Sequence, residues 1–461
     1  MVVINKSINK YQLIILSCMG LLFCLTTPAN GQEYGGGTGE TDTPYLIYTA
    51  EQMNAIGTEP NDWNNHFILM DNIDLGGYTG TQFNIIGIED KPFTGVFDGN
   101  NLEISNFSYT STEADYIGLF GEVNDDNAEI KNVRLINPQV NAGRGSRVGA
   151  LVGKMSHGTI SNCYARGGKV CGLSIVGGLV GFMGTYGSIA ECNASCTIKS
   201  ARKAGGLIGY SRGTISNCFA TGDVEATDTS LGYAGGLVGS HLSSGVNGLI
   251  SKCFATGNVA GVSFIGGLVG ENLFGASIAQ CHASGSVTGS IAGGLVGHNF
   301  DGLISHTYST GRIIATGENV GGLVGLDFDN RAHSSYWNIT TSNCSISAGG
   351  IGIPTNYLQS ESMYYGWDFD NVWGVCEGWN YPKLLWEMPE IGDFGCSTNS
   401  GVDLVNYAFL ISHWLEDGCN STSFGNRYCH RTDLNQSGEV NLVDLSIFMS
   451  NWLKGINVIK Y

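Results

Sequence analysis

The phrase Gly-Gly-Leu-Val-Gly stands at 177–181, 235–239, 266–270, 293–297 and 321–325, with the variants GALVG at 149–153, GGLIG at 205–209 and GLFG at 118–121. Measured on its Leu (119, 151, 179, 207, 237, 268, 295, 323), the steps are 32, 28, 28, 30, 31, 27 and 28 residues. A recurrence of that size marks a solenoid or a related repeat array, because each unit is too small to bury its own apolar face and must stack on its neighbours.

Each unit continues alike. After a polar loop comes TISNCYA (159–165), SIAECNA (188–194), TISNCFA (214–220), LISKCFA (249–255), SIAQCHA (277–283) or LISHTYS (303–309), followed by a third apolar patch such as 221–224. Short runs of Val, Ile, Leu, Tyr and Phe cut by Gly, Asn and Ser read as brief strands between tight turns, and no window keeps a helical period. The expected fold is all-β: a parallel β-helix, or β-solenoid, of about eight 28-residue repeats with capped ends. Within the second phrase the columns of Ile160 and Ile215, of Cys163 and Cys218, and of Ala165 and Ala220 accept few residue types, so they are assigned to the core. The columns of Asn162, Glu191, Asn217, Lys252, Gln280 and His306, and of the rings that follow, vary freely and are assigned to solvent. Eight coils about 4.8 Å apart make a rod on the order of 40 Å long.

Composition agrees with this reading. Gly supplies 69 of 461 residues, roughly twice ordinary usage, as expected where coils need positive φ or close backbone approach. The formal charge is −18. Charged residues make up only 13%, so the acid excess reads as spread, with no basic face, and nucleic acid is excluded as an expected partner.

Residues 1–31 read as a secretory signal, with Lys6 and Lys10 ahead of an apolar run from Leu13 to Leu25 and Ala29-Asn30-Gly31 as the cleavage site. The mature chain is therefore expected to be extracellular or on the cell surface, without a membrane span, and at −20 once the two lysines leave (−18 − 2). Residues 32–115 read as an N-terminal cap and irregular first coils, with a capping box at Thr49–Gln52. Residues 116–338 are the array, and 339–392 a Trp-rich lid over its far end. The inner Cys163, Cys192, Cys218, Cys253 and Cys281 are expected to stay reduced, as small buried hydrophobes. Cys376, Cys396, Cys419 and Cys429 are bridge candidates with three open pairings.

In the C-terminal segment 393–455, VDLVNYAFLISHWL (402–415) and VNLVDLSIFMSNWL (440–453) have helical spacing. The run before and into the second places Asp433, Asn435, Ser437, Glu439, Asn441 and Asp444 so that side-chain oxygens fall at loop positions 1, 3, 5, 9 and 12, with Gly438 at the sharp turn. A hard cation such as Ca2+ wants six to eight oxygens from a loop of this kind, with position 7 giving its carbonyl. The duplicated loop–helix units resemble a dockerin, a small α-helical calcium-loaded module that joins exported polysaccharide-processing proteins to a cohesin. The first loop, 395–406, departs from that pattern with Gly395 and Asn406 in ligand positions. The repeats over 116–338 resemble the GLUG motif of large exported bacterial adhesins and of the non-catalytic parts of IgA-cleaving metallopeptidases. Those peptidases carry an HExxH helix, and the sequence has no such string. The resemblance implies a surface scaffold without catalytic residues to transfer.

The functional expectation is a non-catalytic scaffold for adhesion or polysaccharide binding, tethered through Ca2+ and a cohesin-like partner or cell-surface component. The candidate glycan or partner strip is the outward ring column Tyr164, Phe219, Phe254, His282, Tyr308 and Tyr336. The alternative is a polysaccharide lyase or hydrolase of β-helix type. That chemistry needs clustered carboxylates, whereas the acids of the array fall in different columns, with Asp301, Asp327 and Asp329 nearest to grouping.

Overall fold

The structure is a computed structural model that describes residues 34–228, 232–243, 245, 248–376, 378–388, 407, 410–411, 414, 434 and 439–451. Residues 1–31, read as a signal, lie outside the described residues. Three parallel sheets run the length of a β-solenoid, with 16, 13 and 11 strands among the described residues. The strands that follow each Gly-Gly-Leu (Val152–Ser161, Val180–Ala190, Ile208–Ser211, Val238–Leu242, Val269–Leu273, Val296–Phe300, Val324–Asp327) line up in the first sheet. Those that precede it, such as Lys203–Gly205, Tyr233–Gly235 and Phe264–Gly266, line up in the second. The third holds the ring column, from Tyr164–Arg166 through Asn193–Ala194, Phe219–Ala220, Phe254–Ala255, His282–Ala283 and Tyr308–Ser309 to Tyr336–Asn338. Pairing continues beyond the eight predicted coils at both ends, from Ile73–Asp74 to Ile351–Ile353.

The repeated glycines answer to space. A methyl group on Gly236 would sit 2.1 Å from the carbonyl oxygen of Gly267 in the next coil, and one on Gly235 would sit 2.0 Å from that of Val238. The corner between the first two sheets is therefore packed backbone on backbone. The Leu that follows is buried in all eight coils, and Ile160, Ile189, Ile215, Ile250, Ile278 and Ile304 form a second inner column.

The second phrase is not a single alternating strand. Ile and Cys lie three residues apart and both face inward, which period-2 alternation forbids. The residue between them bends the chain: Asn162, Glu191, Asn217, Lys252, Gln280 and His306 all have φ between 49° and 56°. Left-handed corners in these coils are thus carried by non-Gly side chains, several of them Asn, which tolerates that region best. The solvent column assigned from sequence is a corner column.

The inner cysteines are free thiols, and they do more than fill space. At the corner the N–H of Cys163 meets Sγ of Cys192, that of Cys192 meets Sγ of Cys218, and that of Cys218 meets Sγ of Cys253, each at 3.4 Å. Each thiol in turn lies about as close to the carbonyl two residues back, as Cys218 Sγ to Ser216 at 3.1 Å. Where the column leaves Cys, Thr307 and Ser335 take over with hydroxyls, Thr307 N–H donating to Ser335 Oγ at 3.3 Å. The column selects a small side chain able to accept a backbone N–H. Burial pushes the Cys192 and Cys253 thiols well above their usual range, which keeps them protonated.

One further inner column turns polar along the rod. Met155, Met183, Ser211, His241, Asn272, Asn299 and Asp327 are in register, and Ser211, His241, Asn272 and Asn299 are fully buried. Asn272 Nδ2 donates to Asn299 Oδ1 at 2.9 Å and to the Ala276 carbonyl at 3.1 Å.

At the N-terminal end, the helix Ala50–Ile56 carries the predicted capping box and buries Met53 and Ile56 in the core. At the other end the expected lid is divided. After the short helix Ile339–Ser342, residues 343–348 lie over the last coil, with the Gly322 N–H donating to the Ile346 carbonyl at 2.9 Å and the Ala348 N–H to that of Val324 at 3.0 Å; Ile351–Ile353 extends the third sheet, and 354–388 then turns back along the side of the rod. Trp386 Nε1 donates to the Lys252 carbonyl at 3.2 Å, 134 residues away. Cys376 is disulfide-bonded, and its partner lies outside the described residues, since the other described cysteines are free. Cys396, Cys419 and Cys429 are among the residues not described. In the predicted two-helix C-terminal module, one helix is described in full, Leu442–Asn451, and the dockerin-like domain is not shown.

Candidate functional site

The predicted ring column exists as a ladder. Tyr164 pairs with Asn193, Asn193 with Phe219, Phe219 with Phe254, Phe254 with His282, His282 with Tyr308 and Tyr308 with Tyr336. From Phe219 to Tyr308, ring centroids are 4.9–5.0 Å apart with planes within 9° of parallel. The column is not the bare apolar strip expected, for two reasons. Rings stacked along the rod spend their faces on one another and turn their edges outward. The returning segment then covers those edges. Trp386 packs on Phe219 and Phe254, Trp373 on His282 and Tyr308, and Trp367 on Tyr308 and Tyr336. His282 Nε2 meets Glu387 Oε1 at 2.9 Å, and Tyr308 donates to the Pro382 carbonyl at 2.6 Å. His282, Tyr308 and Tyr336 are buried. Tyr164, beyond this cover, lies between the guanidinium groups of Arg134 and Arg166, 5.7 and 5.3 Å from its ring centroid.

Of the acids nearest to grouping, Asp301 is paired with Arg331 at 3.0 Å, while its N–H donates to Asp329 Oδ2 at 3.2 Å. Among the described residues, no group of three or more His, Cys, Asp or Glu is arranged to hold a metal ion.

A different row is the more organised surface. The residue directly after each Gly-Gly-Leu-Val-Gly or its five-residue variant lies beside the tight corner: Lys154, Phe182, Tyr210, Ser240, Glu271, His298 and Leu326 are in register, Ser240 and Glu271 buried and the others half-buried. Across the corner, Lys203, Tyr233, Phe264 and Ile291 form the facing row. Lys203 joins the two rows. Its Nζ lies 2.8 Å from Glu271 Oε1 and 3.1 Å from Ser240 Oγ, and within 5.0 Å of the ring centroids of Tyr210 and Tyr233. Ser240 donates to the same Glu271 oxygen at 2.5 Å, and His298 stacks on Phe264 at 4.6 Å. Desolvation lowers the His298 pKa, with Glu271 and Asp327 opposing. At the N-terminal end of the row, Lys154 pairs with buried Glu122 at 2.8 Å. Sequence reading passed over this row because its seven positions carry seven different residues, and their fixed place behind a recurring phrase was the signal.

Of the calcium candidates, Asp433, Asn435 and Ser437 lie outside the described residues. Glu439, Asn441 and Asp444 are described, at the start of the helix Leu442–Asn451. Asn441 Oδ1 accepts the Val443 N–H at 2.9 Å, and buried Asp444 accepts the Asn441 N–H at 2.8 Å. These two residues thereby form a reciprocal helix cap. The donor set consists of carboxylate and amide oxygens, which fits a hard cation.

The GLUG motif is matched at 200–225 and 264–288, so the chain carries GLUG-motif repeats. Halomucin of Haloquadratum walsbyi is 33% identical over 215 residues, covering 45% of this chain and 2% of that protein. A protein named "Putative Gly-rich membrane protein" from Evansella cellulosilytica is 31% identical over 401 residues, 77% of this chain and 46% of that one. The chain thus spans less than half the length of either relative. A crystal structure named as that of a "putative immunoglobulin A1 protease" from Bacteroides ovatus shares 20% identity at a TM-score of 0.44, covering 77% of this chain and 96% of that chain. No helix among the described residues is long and apolar enough to cross a membrane.

Proposed function

We propose that this chain is a non-catalytic scaffold of the cell surface or extracellular space that holds polysaccharide along the flank of its solenoid. The observation that carries this reading is the unbroken parallel register, which sets side chains in straight rows at coil spacing over an 11-stranded sheet. A row of equally spaced groups suits a linear polymer, whose own units repeat along one direction. A mucin and a membrane protein among the relatives fit a surface setting. The loop containing Asp433, Asn435, Ser437, Glu439, Asn441 and Asp444 is assigned a Ca2+ ion and, through it, attachment to a cohesin-like or cell-surface partner.

The alternative, a polysaccharide-degrading enzyme, has one observation in its favour: the partly desolvated Glu271 between Lys203 and the row-neighbour His298. A panel of soluble glycans separates the readings. A binder retards the chain in affinity gels without releasing product, whereas an enzyme releases reducing or unsaturated ends that Glu271→Gln abolishes. Calorimetric Ca2+ titration of the parent chain is expected to show binding that Asp433→Ala removes. Equal heats from both would withdraw the ion from this loop.

A further inference from the structure

The charge of the chain is divided unequally. Between 131 and 212 lie eleven Lys and Arg (131, 134, 144, 147, 154, 166, 169, 199, 202, 203, 212) and one acid, Glu191, a local net of +10. The remaining residues hold 22 − 11 = 11 cations and 40 − 1 = 39 acids, a net of −28. The acid excess is therefore unevenly spread along the chain, while five of these cations (Lys131, Lys154, Lys199, Arg202 and Lys203) pair with acids outside the span. About three successive coils form a basic belt inside an acidic rod.

The belt has an ordered flank beside the Gly-Gly-Leu-Val-Gly corner. Arg147 and Lys154 both lie over the ring of Tyr116, at 5.2 and 5.5 Å. Lys154 is in register with Phe182, which stacks on Tyr210 at 5.2 Å, and Tyr210 in turn carries Lys203 and Arg212 at 5.0 and 5.4 Å. Arg212 also donates to the Tyr210 hydroxyl at 3.1 Å. Val148 pairs with Val176 and Val176 with Ala204. Arg147 and Lys203, which precede the first and last of these, consequently stand two coils apart, about 10 Å. Acids from flanking coils hold the two lysines in place, Glu122 on Lys154 and Glu271 on Lys203. Arg147 and Arg212 have no ion-pair partner among the described residues.

We infer that this flank, Arg147–Lys154–Lys203–Arg212 with its tyrosines, binds an acidic polysaccharide, a polymer bearing a carboxylate or sulfate at regular intervals. The inference rests on the polysaccharide reading above and names its site and ligand class. Cations spaced along the rod match a linear polyanion; Tyr116 gives its hydroxyl to Glu89 at 2.9 Å and the Tyr210 hydroxyl accepts from Arg212, so the cations rather than the tyrosine hydroxyls carry the recognition. A nucleic acid fits less well. Bases need open ring faces on which to stack, and here Phe182 and Tyr210 face each other while cations cover Tyr116 and Tyr210.

The test is affinity electrophoresis of the full chain in gels containing polygalacturonate, neutral dextran or single-stranded DNA. Arg147→Gln/Arg212→Gln is compared with Lys91→Gln/Arg312→Gln, a pair outside the belt, after matching urea midpoints establish that all three proteins are folded. Polygalacturonate is expected to retard the parent and the control pair alike. The belt variant should bind it more weakly by roughly two- to thirtyfold, the range for two exposed ion pairs, and added salt should erase the difference. Equal retardation of both double variants overturns the inference, as does tighter binding to DNA than to polygalacturonate at matched charge. Retention by dextran that ignores the belt variant overturns the inference alone and leaves a polysaccharide binder. Absence of retention by either sugar overturns both readings.

Discussion

At the scale of single residues, the corner column shows how backbone geometry can reverse a side-chain reading. Ile215 and Asn217 are two residues apart, one fully buried and the other at φ 51°. Ile215→Ala removes a core side chain between two stacked Ile and is expected to cost about 2–5 kcal/mol. Asn217→Ala is not silent, because Ala tolerates the left-handed region less well than Asn and loses part of the roughly 1–2 kcal/mol that this region costs a residue with a Cβ, whereas Asn217→Gly should stay near the parent. Urea melts that rank Asn217→Ala level with Asn217→Gly would remove the strain argument. His241 supplies a pH dependence. Burial drives its pKa down to about 4, with the backbone of Gly248 and Ser211 offsetting part of the effect. Its unfolded value is near 6.5, so the unfolded chain binds the extra proton between these limits and stability rises with pH across that window. Acidification from pH 7 to 4 should cost on the order of 3 kcal/mol through this residue. His241→Asn should flatten that part of the profile, and an unchanged slope would contradict the assignment.

At the scale of elements, the segment 354–388 is a strap along a ladder. Its apolar groups, Leu358, Tyr364, Trp367, Phe369, Trp373 and Leu384, form one cluster with Tyr308 and Tyr336. The reason is edge exposure. Stacked rings satisfy one another along the rod but leave a line of apolar edges, and Trp side chains cover that line while sending N–H groups to backbone carbonyls such as those of Ser334 and Lys252. The His282–Glu387 contact sits within the same arrangement and ties the strap's last turn to the ladder. Trp386→Ala should therefore loosen the strap before the coils. In hydrogen exchange, amides of 383–388 are expected to lose protection while those of 250–255 keep theirs. Equal loss in both would mean that strap and coil open as one unit.

At the scale of the whole molecule, the solenoid separates its tasks by direction. Inward, the Leu column runs through every coil of the array and the Ile and Cys columns through most of it, so stability is a sum of contacts between neighbouring coils. Outward, no row has to repeat chemically, and each flank takes its own character: rings under a strap on one, a basic belt with tyrosines on another, exposed acids elsewhere. A polymer laid along the rod meets different chemistry on each flank. That division lets an acidic protein of formal charge −18 present a cationic binding line.

The coil period, the parallel stacking, the inner Leu, Ile, Cys and Ala columns and the capped first helix were all legible in the amino-acid order. Each of them depends on contacts between equivalent positions of adjacent repeats, and a repeat writes its neighbour contacts into every copy. The left-handed corners were half legible, through an Ile–Cys spacing of three that no strand allows. The covered state of Phe219, Phe254, His282, Tyr308 and Tyr336 and the joining of Lys203 to Glu271 came only from the tertiary structure. His282 and Glu387 are 105 residues apart, and Lys203 and Glu271 are 68 apart across several coils. Such contacts depend on the path of one unrepeated segment and on which rows the tight glycine corner brings face to face, and no periodicity in a linear sequence carries that information.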